Sequence, residues 1–315
     1  MTFRLNSTEE YHRGPLDTLG WELTVCNSLQ DAKSPCRRVL KHSSTFGEAL
    51  YRHLSRFFPL GDITRVIEIG GGYGNLMADF TRLNPRLRPF MLDLSPVLLS
   101  RQIKALAGTG AEFLEADFFS MEPGFFSPFE LAVLNENCGD FPALCDVPAG
   151  VFDAPRESLG AVVAELVAYY DRYAFERPAG EAFNFNLGAV RALETLCDGG
   201  VPRIYLSEHS CEAAAPAELA EVLDIVPSMN PEPIALKGHV EYTVRFSHLE
   251  KVALRHGYSA KRGSFADFLE VDFTPEINFI LRSRSSKNDE HEIIRQFIGD
   301  LYKYEYLVLE KGVTV

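Results

Sequence analysis

Glu68-Ile69-Gly70-Gly71-Gly72-Tyr73-Gly74 is the stretch of this sequence that packing alone explains least well. With acids at their frequency in this chain and glycine near its usual share, acid-x-Gly-x-Gly-x-Gly is expected by chance only about 0.02 times. Glycines so placed allow a tight turn with positive φ and let a ligand touch the backbone. The short apolar run from Arg65 to Ile69 precedes the loop, and a helical period from Asn75 to Arg82 follows it, so the loop stands where a strand passes into a helix. A dinucleotide fingerprint has two residues between its second and third glycines; here a single residue separates each pair. Two further acids end strand-like runs, Asp93 after Pro89-Phe-Met-Leu and Asp117 after residues 111–116. For each, the plain alternative to ligand binding is a helix cap or a turn acid.

The elements that must position these residues follow from the period of the sequence. A helix is expected over 45–57, then strands at 65–69, 89–94, 111–116 and 129–134, alternating with helices at 75–82 and 96–107. After the fourth strand an insertion at about 138–185 carries a helical stretch over 158–170. The alternation then resumes with a helix at 187–198 and a strand at 203–206. A second lid-like insertion covers about 211–241, a helix spans 246–256, and the alternating run 302–310 closes the chain as a strand. Strand and helix at such spacing imply an α/β fold with a doubly wound parallel sheet. The domain reading is an N-terminal helical segment over 1–60 and one α/β domain over 61–315 with two helical insertions, after the fourth and fifth strands, at the sheet's carboxyl edge.

Composition narrows the partners. The 315 residues carry a formal charge of −13, which disfavours nucleic acid, and no window approaches the apolar length of a membrane span. No apolar leader opens the chain, so an unprocessed, soluble, cytoplasmic protein is expected. The six cysteines are scattered without a Cys-x-x-Cys pair and signal neither a zinc site nor a disulfide framework.

The compact glycine spacing led by a strand acid resembles the first motif of class I S-adenosylmethionine-dependent methyltransferases. The resemblance implies a Rossmann-like sheet, with S-adenosylmethionine as cofactor on Gly70, Gly72 and Gly74 and with Glu68 supporting the loop or the cofactor ammonium. It implies a ribose contact for Asp93 and an adenine contact for Asp117. A carboxylate accepts two hydroxyl hydrogen bonds at once and would repel a 2′-phosphate, which suits Asp93 to that place.

Further segments narrow the likeness. Asp93-x-Ser95-Pro96-x-Leu98-x-x-Arg101-Gln102-x-x-x-Leu106 resembles the post-loop segment of the MidA-like methyltransferases, relatives of the mitochondrial complex I assembly methyltransferase. Asn135-Glu136-Asn137-Cys138-Gly139-Asp140-Phe141-Pro142 is similar to that family's N-E-x-x-D-A-x-P, with the acid moved one place. The stretches from Arg245 to Tyr258, from Phe265 to Leu269 and from Gly299 to Tyr304 resemble its later motifs, so the likeness runs from about residue 15 onward. The departures are Gly71 and Tyr73 where the family carries Pro and Arg, and Glu208-His209-Ser210 where it carries D-Y-G.

The MidA-like resemblance implies methyl transfer to an arginine of a protein partner, without a metal. Guanidinium keeps its charge at neutral pH, so carboxylates must orient it and relieve that charge as the bond forms. Glu136 is the first candidate for this role and Asp140 the second, with Asn135 holding the loop or cofactor by hydrogen bonds. A helix cap is the plain alternative for both acids. An EIGGGYG loop is also similar to that of sugar O-methyltransferases, which would make a small molecule the acceptor and His209 a base. A non-catalytic, cofactor-binding assembly factor is the third reading, and a homodimer is compatible with all three. The tyrosines at 302, 304 and 306 read as strand packing.

Overall fold

The computed structural model describes residues 3–16, 24–283 and 288–312; the opening of the MidA-like likeness at 17–23 lies outside them. Its centre is a seven-stranded sheet: β1 (Arg65–Ile69), β2 (Arg88–Asp93), β3 (Glu112–Glu115), β4 (Leu131–Asn135), β5 (Arg203–His209), β6 (Tyr258–Ser264) and β7 (Tyr304–Lys311). Their order across the sheet is β6-β7-β5-β4-β1-β2-β3. The first five run parallel, and β7 is antiparallel to both β5 and β6.

Helices cover both faces. They are α1 (Phe46–Leu54), α2 (Asn75–Leu83), α3 (Pro96–Ala105), α4 (Ala161–Tyr173), α5 (Leu187–Asp198), α6 (Phe246–Arg255), α7 (Pro275–Arg282) and α8 (Asp289–Lys303). Successive strand residues point to opposite faces. Val66, Leu131 and Val133 accordingly join α1, α2 and α8 in one core, while Ile67, Ala132 and Leu134 join α4, α5 and α6 in the other. Burial on both faces explains why β4 reads as a continuous apolar run and β1 as one broken only by the buried Glu68. α1 is started by a full capping box between Thr45 and Glu48.

Several features depart from the sequence reading. The sheet is mixed instead of parallel because β7 runs antiparallel to its neighbours, and β6 and α7 are elements that the sequence period does not mark. The closing strand begins at Tyr304, because residues 302 and 303 finish α8, which buries Ile294, Phe297, Ile298 and Leu301 on one stripe and is capped by Asn288. The first insertion holds, besides α4, the strands Ala143–Pro148 and Ala182–Phe185, and Arg4–Asn6 pairs with the former, so the N-terminal segment contains a strand as well as helices. The second insertion folds as turns and a hairpin, Pro233–Ala235 with Val240–Tyr242, rather than as a helix. Pro227, Pro231 and Pro233 keep the second half of this insertion out of a helix, since each removes a helical donor. All six cysteines are free thiols. Among the described residues no helix is long and apolar enough to cross a membrane.

α1 also carries a pH-sensitive residue. His53 is 5% exposed, packs against the rings of Phe57, Phe268 and Tyr306, and finds no partner for either ring nitrogen. Burial pushes its pKa down to about 4; Arg56 and Lys261 add to the effect and Asp267 opposes it. The unfolded chain therefore takes up a proton near pH 6.5 that the folded chain refuses, and stability is lost as pH falls from 6.5 toward 4. Urea unfolding at pH 7 and pH 5 should show a smaller acid loss in His53→Leu than in the wild type, by on the order of 1–2 kcal/mol. Equal losses would mean that the imidazole is solvated.

Candidate active site

The glycine loop is a backbone device. Gly70, Gly72 and Gly74 have φ of +64°, +54° and +81°, where side chains are strained. The Gly70 N–H donates to Leu92 O on β2, and the Gly74 N–H closes the turn on Gly71 O. A Cβ on Gly74 would stand 3.1 Å from the Gln102 Cα, so that glycine lets α3 approach. A Cβ on Gly72 would meet nothing within 4 Å, because it would point into open space. A Cβ on Gly71 would stand 2.5 Å from Met91 Cε and 2.8 Å from Glu68 Oε2, so the ends of those two side chains would have to shift.

α3 ties the loop to the second acid. Gln102 Nε2 donates to Gly72 O at 3.1 Å and to Asp93 Oδ2 at 2.6 Å, while Asp93 Oδ1 accepts the Ser95 N–H at 2.8 Å. Asp93 is 5% exposed; burial raises its pKa against these hydrogen bonds. Glu68 lies under the loop, 2% exposed, with Oε2 unpartnered. Burial, helped by the charge of Asp93, pushes its pKa to about 8. Asp117 accepts the Phe119 N–H at 2.9 Å and caps the turn Phe118–Ser120, so the capping alternative is realised at a residue that also faces the cavity.

Glu68, Gly70, Gly71, Gly72, Asp93 and Asp117 line one cavity of about 910 Å³ at the carboxyl ends of the parallel strands, whereas Gly74 and Gln102 support the loop from outside its wall. The hairpin of the second insertion and the helix Glu9–Arg13 supply part of its wall. Among its described lining residues are eleven carboxylates and three Lys or Arg side chains.

The acids after β4 stand in this wall, but with partners. Glu136 adopts φ +54° and turns its carboxylate to the start of the helix Val25–Ser28. Oε2 accepts the Val25 N–H and Oε1 the Cys26 N–H, each at 3.2 Å, and Asn135 Nδ2 donates to Oε1 at 3.1 Å. Burial raises its pKa to about 7, with the hydrogen bonds opposing. Glu136 thus clamps the N-terminal segment to the sheet edge. Asn135 itself accepts Ser207 Oγ at 3.0 Å. Asp140 pairs with His12 Nε2 at 2.9 Å.

Sequence reasoning passed over Glu208 as a site residue. It is 3% exposed at the end of β5 and accepts the Gly139 N–H at 2.9 Å and the His209 N–H at 2.8 Å. Burial and the charges of Glu241 and Asp140 hold its pKa well above the usual carboxylate range. Its signal was positional, an acid ending a parallel strand. Tyr304 belongs to the cavity too, under the His209 ring with centroids 3.8 Å apart.

No family model and no curated protein matches the sequence. Solved structures do. An uncharacterized superfamily protein from Burkholderia thailandensis superposes with a TM-score of 0.53 at 17% identity, over 90% of this chain and 82% of that one. A second member of that superfamily from the same organism, bound to S-adenosyl-homocysteine, gives 0.50 at 17% identity over 86% and 77%. An S-adenosylmethionine-dependent methyltransferase from Mesorhizobium loti gives 0.47 at 15% identity over 84% and 98%.

The fold is that of the class I methyltransferases. In the topology of this methyltransferase fold, the loop after β1 and the acids ending β2 and β3 fall side by side on one edge of the sheet. Ligands of open α/β sheets bind at that edge.

Proposed function

We propose that this protein is an S-adenosylmethionine-dependent methyltransferase whose acceptor is a cationic nitrogen, an arginine guanidinium of a protein partner. The acidity of the cavity carries the reading, because Asp and Glu side chains outnumber Lys, Arg and His together by eleven to six among its described lining residues, around a space large enough for cofactor and acceptor together. S-adenosylmethionine, when bound, supplies an electrophilic methyl on a cationic sulfonium. Open space at Gly72, the unpartnered oxygen of Glu68 and the two strand-end acids fit such a ligand. Gly70, Gly72 and Gly74 would take its amino-acid part, with Glu68 near the charge, Asp93 on the ribose and Asp117 toward the adenine. On the acceptor side Glu136 and Glu208 would orient the guanidinium and hold down its charge, and Asn135 keeps Glu136 in place. Asp140, already paired with His12, stands behind them.

Radiolabelled cofactor incubated with the protein and a cell extract should label a protein band that yields methylarginine on hydrolysis. Glu136→Gln should lower that transfer by at least about a hundredfold while cofactor affinity is kept, as expected for a group that handles charge at the reacting centre. Undiminished labelling would remove Glu136 from the acceptor site. One observation favours a second reading: hairpin residues Ile234 to Lys237 form part of the cavity wall, which suits an enclosed small acceptor. Label confined to low-mass material would establish it.

A further inference from the structure

Three elements far apart in sequence bring a ligand set together beside the acceptor wall. His12 comes from the helix Glu9–Arg13, Asp140 from the segment after β4, and His239 from the hairpin of the second insertion. One ligand atom from each lies within 4.8 Å of the other two. His12 Nε2 is 2.9 Å from Asp140 Oδ1, and His239 Nε2 is 3.7 Å from the same oxygen. Tetrahedral zinc with bonds of about 2.0–2.1 Å sets its ligand atoms ~3.3 Å apart, so these three close on one ion with small side-chain shifts. The Glu241 carboxylate, 3.0 Å from His239 Nε2, adds negative charge, and the Tyr11 ring stacks on His239 at 4.0 Å.

We infer that His12, Asp140 and His239 bind one divalent transition cation, which clips the N-terminal segment and the hairpin to the sheet edge over the cavity. Two imidazoles and one carboxylate suit zinc, cobalt or ferrous iron, whereas magnesium and calcium prefer sites built of oxygen alone. The cluster faces the cavity, so the ion keeps open positions for water or a ligand. The clip does not depend on which acceptor is methylated.

The full chain, stripped with chelator and titrated with Co2+, tests this. It should take up one ion with a visible d–d band that Zn2+ displaces and equimolar Mg2+ leaves unchanged. His12→Gln and His239→Gln should each lose the band and bind Co2+ at least tenfold more weakly, with cofactor affinity and circular dichroism retained. The helix carrying His12 buries no residue, so His12→Gln leaves the core untouched. In the wild type alone, Zn2+ should slow tryptic cleavage after the exposed Arg13 at least threefold relative to chelated protein. Absence of the band, a band unchanged in both variants, or cleavage indifferent to zinc would reduce the cluster to an ion-pair network. Because cofactor binding is measured in the same samples, failure of the metal site and failure of the methyltransferase reading are separate results.

Discussion

Gly72→Phe should bind S-adenosylmethionine at least a hundredfold more weakly than the wild type while remaining folded. A Cβ at this position meets no neighbouring atom within 4 Å, so the new ring extends into the cavity instead of into the core. The folding cost is then the left-handed backbone at φ +54°, about 1–2 kcal/mol for a residue with a side chain. A loss of a hundredfold corresponds to about 2.7 kcal/mol of binding, from blocked space and displaced backbone donors. Gly108 supplies the matched control. Its φ is +81° and its Cβ direction is likewise open, but it lies in the turn after α3, away from the cavity. Gly108→Phe should show the same strain in unfolding and no change in affinity. Calorimetry on both variants separates strain from occupancy, and intact binding by Gly72→Phe would place the cofactor on another surface.

The loop was legible in the sequence because its information is local. Three glycines at fixed spacing, a strand before them and a helix after them write the positive φ angles directly into residues 70–74. Asp93 and Asp117 were legible for a related reason: the end of each parallel strand delivers its acid to the same edge. What a side chain does once it arrives is set by partners that local sequence does not specify. Glu136 was placed at the right edge, yet its two oxygens hold the backbone of Val25 and Cys26, more than a hundred residues earlier. The His12, Asp140 and His239 cluster escaped for the same cause, since no spacing links residues brought together by an N-terminal helix, a post-strand loop and a hairpin. The start of β7 was missed because Tyr302, Tyr304 and Tyr306 alternate like a strand, while the apolar stripe of α8 decides that Tyr302 is helical.

Glu68 should make cofactor binding depend on pH. In the free protein its carboxyl holds a proton up to about pH 8, because burial and the neighbouring Asp93 charge oppose ionisation and Oε2 has no donor to stabilise the anion. A ligand that brings positive charge to the loop favours the carboxylate, so binding at pH 7 releases close to one proton. Affinity should then rise up to tenfold per pH unit as pH approaches 8 and level off above it, and calorimetry in buffers of different ionisation enthalpy counts the protons. Glu68→Gln should flatten this profile and bind at least tenfold more weakly at pH 8.5, having no charge to offer. Stability moves the opposite way. A folded pKa raised above the unfolded value of about 4.5 leaves the acid's contribution whole below pH 4.5 and removes it as pH climbs toward 8, by on the order of 4 kcal/mol. Relative to the wild type, the amide variant should therefore gain stability between pH 5 and pH 8 in urea unfolding without ligand. A flat affinity profile in the wild type beside this stability gain would mean that Glu68 is a buried neutral acid that the cofactor never reaches; loss of both slopes would mean that it is already ionised under the loop.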